Sequence, residues 1–125
     1  MRKTALIPFV SDFLFDEPRA VLDELSLLNA AHDVFIVLID AAFAFEMPHV
    51  SAGWVETVDV ETGRTRMMSR AALGNMAARV RAWQNDVART AREAGMDVVR
   101  FGTEAVANNL ALAEFVAERR LRKVA

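Results

Sequence analysis

Polar side chains that suit a hard cation follow three apolar stretches of this sequence. Ser11 and Asp12 come after ALIPFV, Asp40 comes after VFIVLI, and Thr103 with Glu104 comes after DVVRF and a glycine. Hydroxyl and carboxylate oxygens are the ligands that Mg²⁺ and Ca²⁺ prefer. If the apolar stretches are parallel strands, these side chains meet at one edge of a sheet, where such sheets bind ligands. They would equally serve as loop caps, and the residue types alone leave both interpretations open.

Ser11 is also a candidate nucleophile. The chain has two histidines, His32 and His49, and either one with an aspartate would complete a Ser-His-Asp triad on paper. No G-x-S-x-G turn surrounds Ser11, and the sequence contains no P-loop, G-x-G-x-x-G or H-E-x-x-H motif. A small hydrolase using Ser11 and Asp12 is therefore an alternative, and the primary expectation is that the chain is not an enzyme.

The first part of the chain predicts a β-α-β unit that would position these residues. Residues 5–10 are typical of a buried strand, and Asp16 is the expected N-cap of a helix with Pro18 in its first turn. Residues 34–40 are apolar until Asp40, which is typical of a strand covered on both faces. A strand, a helix and a second strand of this kind predict a right-handed crossover between parallel strands.

A β-hairpin is predicted in the middle of the chain, outside the parallel sheet. Residues 53–69 contain strand-like segments on either side of Glu61-Thr62-Gly63, and Gly63 suits the positive φ of a hairpin turn. Residues 41–48 are predicted to be a loop or an irregular extension.

The last part predicts a helix, a strand and a helix. Ser69 is the expected cap of a helix over residues 70–94, which Gly95 ends, and a strand follows at residues 97–101. Thr103 is the expected cap of the final helix. Helical spacing assigns one stripe of this helix to the core: Val106, Leu110, Ala113 and Val116.

Composition indicates one domain, residues 1–125. The chain is 54% hydrophobic and 26% charged, so we expect it to fold rather than form a disordered tail. It has no cysteine, which excludes disulfides and thiolate metal sites and fits a cytoplasmic location. No signal peptide is recognisable, and no apolar run approaches the roughly 20 residues that span a bilayer. We therefore expect no membrane association.

Charge is distributed unevenly along the chain. Residues 1–62 hold eleven acids and three bases, which gives a net charge of −8. Residues 63–125 hold six acids and twelve bases, which gives +6, and the whole chain has a net charge of −2. The arginines are spread along a helix without interleaved aromatic residues, so nucleic-acid binding is not expected. Solvated helix faces and a basic C-terminal tail account for this pattern, with a charged partner as the alternative.

Several short segments together resemble the C-terminal half of a bacterial von Willebrand factor A-like family, the domain of unknown function numbered fifty-eight, whose genes often lie beside MoxR-type AAA+ ATPases. In chain order these segments are FVSDFL, AAHDVFIVLID, EMP, VDVETGRT, a long arginine-rich helix, AGMDVVRFGTE and a final helix ending in ERR. Together they span nearly the whole chain. The His-Asp-Val step and the Glu-Thr-Gly hairpin are the most specific.

The resemblance implies an α/β fold: a partial von Willebrand A-like, Rossmann-type parallel sheet with flanking helices and an inserted β-hairpin. Domains of this type carry a metal-ion-dependent adhesion site, to which Asp12 would contribute with Ser11, while Asp40, Thr103 and Glu104 would form a binding edge. The motif Asp-x-Ser-x-Ser and the first three strands of the family fold have no counterpart here. Pro8 also falls in what would be a central strand. We therefore expect no cofactor for this chain alone, and Mg²⁺ only in a complete domain.

Three functions follow as hypotheses. The leading one is a protein-interaction module that works with a MoxR-type AAA+ ATPase and whose adhesion site is completed by other residues. The second is an assembly domain that forms a homodimer across the strand edge at residues 5–10, because an uncovered edge invites pairing. The third is the small hydrolase that would use Ser11 and Asp12.

Overall fold

The computed structural model describes residues 5–45, 54–58 and 61–124 of the chain. The elements follow one another as β1 (Leu6–Ser11), α1 (Pro18–Ala31), β2 (Asp33–Ile39), a short 3-10 helix (Ala42–Phe45), β3 (Trp54–Val58), β4 (Thr65–Ser69), α2 (Arg70–Glu93), β5 (Asp97–Phe101) and α3 (Ala105–Val124). This order confirms the predicted α/β class.

A parallel sheet with the strand order β1-β2-β5 lies at the centre of the described residues. β2 pairs in parallel with both neighbours, from Leu6 opposite Asp33 on one side to Ile39 opposite Phe101 on the other. Residues 34–38 of β2 are all buried, as an apolar strand between two helical layers should be. The structure is consistent with a partial Rossmann-like fold.

Helices cover the two faces of the sheet unequally. On one face α1 and α2 enclose the larger core, which contains Leu22, Leu25, Val34, Ile36, Leu38, Val87, Ala88, Ala91 and Met96. On the other face Phe35, Val37 and Val99 pack against Ala111 and Phe115 of α3. Among the described residues, α3 is therefore the helix that packs on the second face.

The hairpin and the long helix form as the sequence predicts. β3 and β4 pair antiparallel in a sheet of their own, and Gly63 has a φ of 73° beside the turn. The Ser69 hydroxyl accepts a hydrogen bond from the Ala72 N–H at 3.1 Å, which caps α2. Gly95, with a φ of 86°, follows its C-terminus. Of the predicted loop 41–48, residues 42–45 form the short 3-10 helix, and residues 46–48 lie outside the described residues.

Two helices begin later than predicted. Glu17, not Asp16, is the N-cap of α1, and it adopts a left-handed conformation without a side-chain cap hydrogen bond. Pro18 occupies the first helical position, because its fixed φ suits that place, and the cap is therefore the residue directly before it. α3 begins at Ala105, and its first turn closes on the Glu104 carbonyl rather than on a turn capped by Thr103.

α3 packs on the sheet with a different side from the one that its apolar stripe predicts. Val106, Leu110 and Val116 are exposed, whereas Ala111 and Phe115 contact the sheet. The Phe35 and Phe115 rings lie 5.0 Å apart between centroids, and such an aromatic pair fixes how the helix is rotated about its axis. The predicted stripe is thus left on the outer surface.

Candidate functional site

The ends of β1, β2 and β5 lie side by side at the carboxyl edge of the sheet, because the strands are parallel and in register. This edge carries every candidate ligand that the sequence suggested, and these residues are called the carboxyl rim below: Ser11, Asp12, Asp40, Thr103 and Glu104. Asp40 follows the central strand, so it lies between the other two groups.

Ser11 and Asp12 use oxygen atoms to shape the loop after β1. The Ser11 hydroxyl accepts a hydrogen bond from the Phe13 N–H, and an Asp12 carboxylate oxygen accepts one from the Leu14 N–H, both at 3.0 Å. Each bond links residues two apart, as in turns closed by serine or aspartate side chains. These contacts match the loop-cap interpretation of the two residues.

The same loop holds Phe13 in a left-handed conformation. Its φ is 57°, which is unfavourable for a bulky side chain, yet its ring is completely buried. The ring lies 5.4 Å from that of Phe9 and 5.5 Å from that of Phe15, measured between centroids. Burial of the ring and the hydrogen bond from the Phe13 N–H to Ser11 offset the backbone strain, so the loop has a defined shape.

A buried glutamine of α2 joins two of the strand ends. The Gln84 Nε2 donates to the Asp12 carbonyl at 3.0 Å and to the Ile39 carbonyl at 2.7 Å, and its Oε1 accepts from the Ala41 N–H at 3.3 Å. The side chain is fully buried with all three groups satisfied. Gln84 therefore fixes the distance between the ends of β1 and β2.

Sequence reasoning missed Gln84, although a signal was present. It falls four residues after Val80 and three before Val87, which is the spacing of positions on the buried side of α2. A polar side chain at such a position needs hydrogen-bond partners. Trp83 beside it is half-exposed, and its indole N–H donates to the Phe13 carbonyl at 2.7 Å.

Further hydrogen bonds hold the ends of β2 and β5. An Asp40 carboxylate oxygen accepts from the Ala42 N–H at 2.9 Å, and the Asp40 N–H donates to the Phe101 carbonyl at 2.7 Å. Asn108 of α3 makes two hydrogen bonds to the backbone of Gly102, at 2.8 and 2.9 Å. Thr103 and Glu104, in contrast, are exposed at the rim.

These residues do not by themselves fit a divalent cation. Mg²⁺ and Ca²⁺ take six or more oxygen ligands, whereas Ser11 and Asp12 supply one hydroxyl and one carboxylate that already accept backbone hydrogen bonds. Within residues 5–45, 54–58 and 61–124, no group of three or more His, Cys, Asp or Glu side chains is placed to hold a metal. A cation at the rim would need further ligands besides Ser11 and Asp12.

The rim also lacks one of the two histidines considered for a triad. His32 ends α1 at the opposite edge of the sheet, six residues before Leu38, which lies level with Ser11. At about 3.3 Å per extended residue this separates His32 from Ser11 by about 20 Å. His49 lies outside the described residues.

The amino edge of the sheet is closed by an arginine from α3. Arg119 pairs with both Asp33, at the start of β2, and Asp97, at the start of β5, with 2.6 Å between its Nη1 and the Asp97 carboxylate. Its guanidinium also lies 5.8 Å from the Phe35 ring centroid and 5.3 Å from that of Phe115. These contacts hold α3 against the starts of β2 and β5. They explain the arginine at this position, so no bound ligand is needed to explain it.

Within the described residues, no strand pairs with the outer side of β1. The Asp33 N–H donates to the Ala5 carbonyl at 2.8 Å, so alternate residues of β1 direct their backbone groups toward β2. The remaining residues, Leu6, Pro8 and Val10, direct theirs outward. Their side chains lie on the face that α3 covers elsewhere, and the exposed fraction of both Leu6 and Val10 is 61%.

Comparison of the chain with protein-family models, with curated proteins and with solved structures finds no match. The family resemblance therefore depends on the sequence motifs alone. In the part of the chain that the structure describes, no helix is both long enough and apolar enough to cross a bilayer.

Proposed function

We propose that this chain is a protein-interaction module that binds another polypeptide along the open side of β1. The observation that carries this proposal is the double exposure of β1, whose outer backbone edge and outer side-chain face are both uncovered. Leu6 and Val10 are the apolar anchors on that face. A strand added to an exposed sheet edge gains affinity from main-chain hydrogen bonds and specificity from alternate side chains.

Pro8 determines what kind of strand this edge accepts. It has no N–H, so the edge offers donors only at Leu6 and Val10 but acceptors at all three outward positions. A different polypeptide would lose one hydrogen bond against Pro8. A second copy of β1 would bring its own proline and lose more, so we favour a different polypeptide over the homodimer across residues 5–10.

The resemblance to the von Willebrand A-like family suggests which polypeptide this is. In that family the strand beside this edge belongs to the same domain, and the neighbouring gene encodes a MoxR-type AAA+ ATPase. We propose that the ATPase supplies the strand that completes the sheet at β1, with the carboxyl rim beside this contact. Mg²⁺ at the rim would require the ligands that this added strand supplies. A chain without cysteine suits the cytoplasm, where we expect this interaction.

A binding assay with a MoxR-type ATPase from the same genome tests the proposal. We expect wild-type chain to bind the immobilised ATPase and the Leu6→Lys/Val10→Lys variant to bind at least about tenfold more weakly, because lysine disfavours an added strand. Leu27→Lys is the matched control, since Leu27 on α1 is 77% exposed and distant from β1. Equal binding by all three proteins would reject β1 as the contact.

Hydrogen exchange supplies an independent readout. The amides of Leu6 and Val10 face outward in the isolated chain, so they should exchange rapidly and become protected in the complex. Protection confined to the rim residues Thr103 and Glu104 would move the contact from the edge to the rim. Absence of any complex with wild-type chain would reject the ATPase as the partner.

The homodimer across β1 is the second candidate, and the uncovered edge is the observation in its favour. It predicts that the Leu6→Lys/Val10→Lys variant sediments as a monomer when wild-type chain sediments as a dimer. A dimer that survives both substitutions excludes it.

A further inference from the structure

The outer surface of α3 is apolar although the inner side of the helix already packs on the sheet. Five large apolar side chains of this helix are exposed: Val106, Leu110, Leu112, Val116 and Leu121. Helices that are apolar all round are normally buried on all sides. A shallow groove of about 670 Å³ runs along this surface, lined by Asn109, Leu112, Ala113, Val116, Ala117, Arg120 and Leu121.

We propose that a second copy of this chain occupies the groove with its own α3, in antiparallel orientation. This inference goes beyond the proposed function, because it concerns a different surface and a different occupant. Two features of the helix carry it: the order of large and small side chains along the groove, and the distribution of charge along the helix.

The groove is complementary to itself when the helix is reversed. A two-fold axis between Glu114 and Phe115, at right angles to the helix, brings Leu112 opposite Ala117 of the second copy. The same axis brings Ala113 opposite Val116. Leu112 and Val116 thus each meet an alanine, which is how facing helices interdigitate at interaxial distances of 8–10 Å. A two-fold interface requires this self-complementarity.

Polar groups at the ends of the groove agree with the same axis. Asn109 comes opposite Arg120 of the second copy, so the amide oxygen can accept a hydrogen bond from the guanidinium. The helix begins after Glu104 and ends in the sequence RRLRK. Antiparallel packing brings the basic end of one copy toward Glu104 of the other and opposes the helix dipoles, whereas parallel packing would bring the two basic ends together.

Sedimentation equilibrium over about 1 to 500 µM tests the proposal, and we expect a dimer with a Kd in the micromolar range. Val116→Glu should raise that Kd at least about 100-fold, because it places a carboxylate in an apolar contact without a partner. Leu27→Glu changes the net charge of the chain by the same amount as Val116→Glu, at an exposed position of α1. It should leave the Kd unchanged. A wild-type monomer at every concentration, or a Val116→Glu dimer of unchanged Kd, would overturn the proposal.

A charge substitution and a set of single cysteine substitutions provide two further tests. Ala117→Glu alters an exposed position, so it should abolish the dimer with an unchanged far-UV circular dichroism spectrum even if Val116→Glu unfolds. Because the chain has no cysteine, single introduced cysteines report the orientation. A mixture of Ala113→Cys and Val116→Cys chains should form a disulfide between the two variants. Efficient cross-linking of Leu121→Cys to itself would show parallel helices and overturn the antiparallel arrangement.

These results also separate the inference from the proposed function. Loss of the dimer in Leu6→Lys/Val10→Lys with retention in Val116→Glu would place self-association at β1 and overturn the role of α3. Loss only in Val116→Glu supports the α3 dimer, and the binding of the ATPase to β1 is then measured on that monomeric variant.

Discussion

The side-chain amide of Gln84 donates a hydrogen bond of 2.7 Å to the main-chain carbonyl of Ile39, at the end of the central strand. A second donation from the same nitrogen reaches the end of β1 at Asp12. One side chain of α2 thus donates hydrogen bonds to backbone carbonyls at the ends of both β1 and β2. The carboxyl rim owes its shape to this contact more than to any of its own side chains.

Replacing Gln84 with leucine should destabilise the chain strongly at almost constant side-chain volume. The part-buried backbone groups of Asp12, Ile39 and Ala41 would lose this partner, and an unsatisfied group costs about 1–3 kcal/mol when fully buried and less where water reaches it. Allowing for relaxation, we expect the free energy of unfolding in urea to fall by about 3 kcal/mol.

Asn75→Ala is the matched control for this prediction, because it removes an exposed amide from the same helix. Its effect should stay within about 0.5 kcal/mol. If Gln84→Leu unfolds at the wild-type urea concentration, the strand ends do not depend on the amide.

Arg119 should contribute more to stability than any arginine on the exposed face of α2. Its guanidinium lies beside the Phe35 and Phe115 rings and pairs with Asp33 and Asp97, so its removal takes a cation away from two part-buried carboxylates. Arg119→Met keeps most of the packing volume and should lower the free energy of unfolding by about 2–3 kcal/mol.

Arg119→Lys should recover only part of this loss, because an ammonium group cannot form the same fork to two carboxylates. Arg79→Met, at an exposed position of α2, is the control and should be nearly neutral. Similar losses in Arg79→Met and Arg119→Met would show that the ion pairs add nothing.

Glycine at position 17 should stabilise the protein. Glu17 has a φ of 55° and a ψ of 55°, and its side chain makes no cap hydrogen bond, so only the cost of the left-handed conformation is removed. That cost is about 1–2 kcal/mol, from which the larger backbone entropy of glycine in the unfolded chain must be subtracted. We expect a net gain of about 0.5 kcal/mol, measured by thermal and urea unfolding.

Glu24→Gly, in the interior of α1, is the control, and its effect on the free energy of unfolding should have the opposite sign. It should destabilise by about 1 kcal/mol, because glycine is unfavourable in a right-handed helix. A loss of stability in Glu17→Gly would mean that the carboxylate has a role that outweighs the backbone strain.

The sequence was sufficient for the fold because the fold depends on local patterns. The apolar run at residues 34–38 has no polar face, and Ser69 and Gly95 bracket one long helix, so β2 and α2 could be predicted individually. The carboxyl rim followed from the parallel arrangement of the strands. Its interpretation as a metal site stays a prediction, and the oxygen atoms of Ser11 and Asp12 accept hydrogen bonds from their own loop.

What the sequence left undetermined depends on contacts between distant positions. Gln84 and Ile39 are 45 residues apart, and Arg119 and Asp33 are 86 apart. Helical spacing could assign either side of α3 to the core, since both are apolar. The choice was made by the Phe35–Phe115 ring contact and the Arg119 ion pairs, which no periodicity contains.

Pro8 should be what keeps β1 from pairing with itself. Position 8 directs its backbone outward, and valine there would restore the one missing donor of an otherwise complete edge. Pro8→Val should therefore increase self-association, seen as higher oligomers in sedimentation velocity, and this should persist in a Val116→Glu background that lacks the proposed α3 contact. Leu6→Val is the control, because position 6 already has its N–H and the change only shortens the side chain. If Pro8→Val and Leu6→Val sediment alike, the missing N–H of Pro8 is not what limits pairing between two copies of β1. Another feature of the chain then prevents the exposed Leu6 and Val10 side chains of two copies from associating.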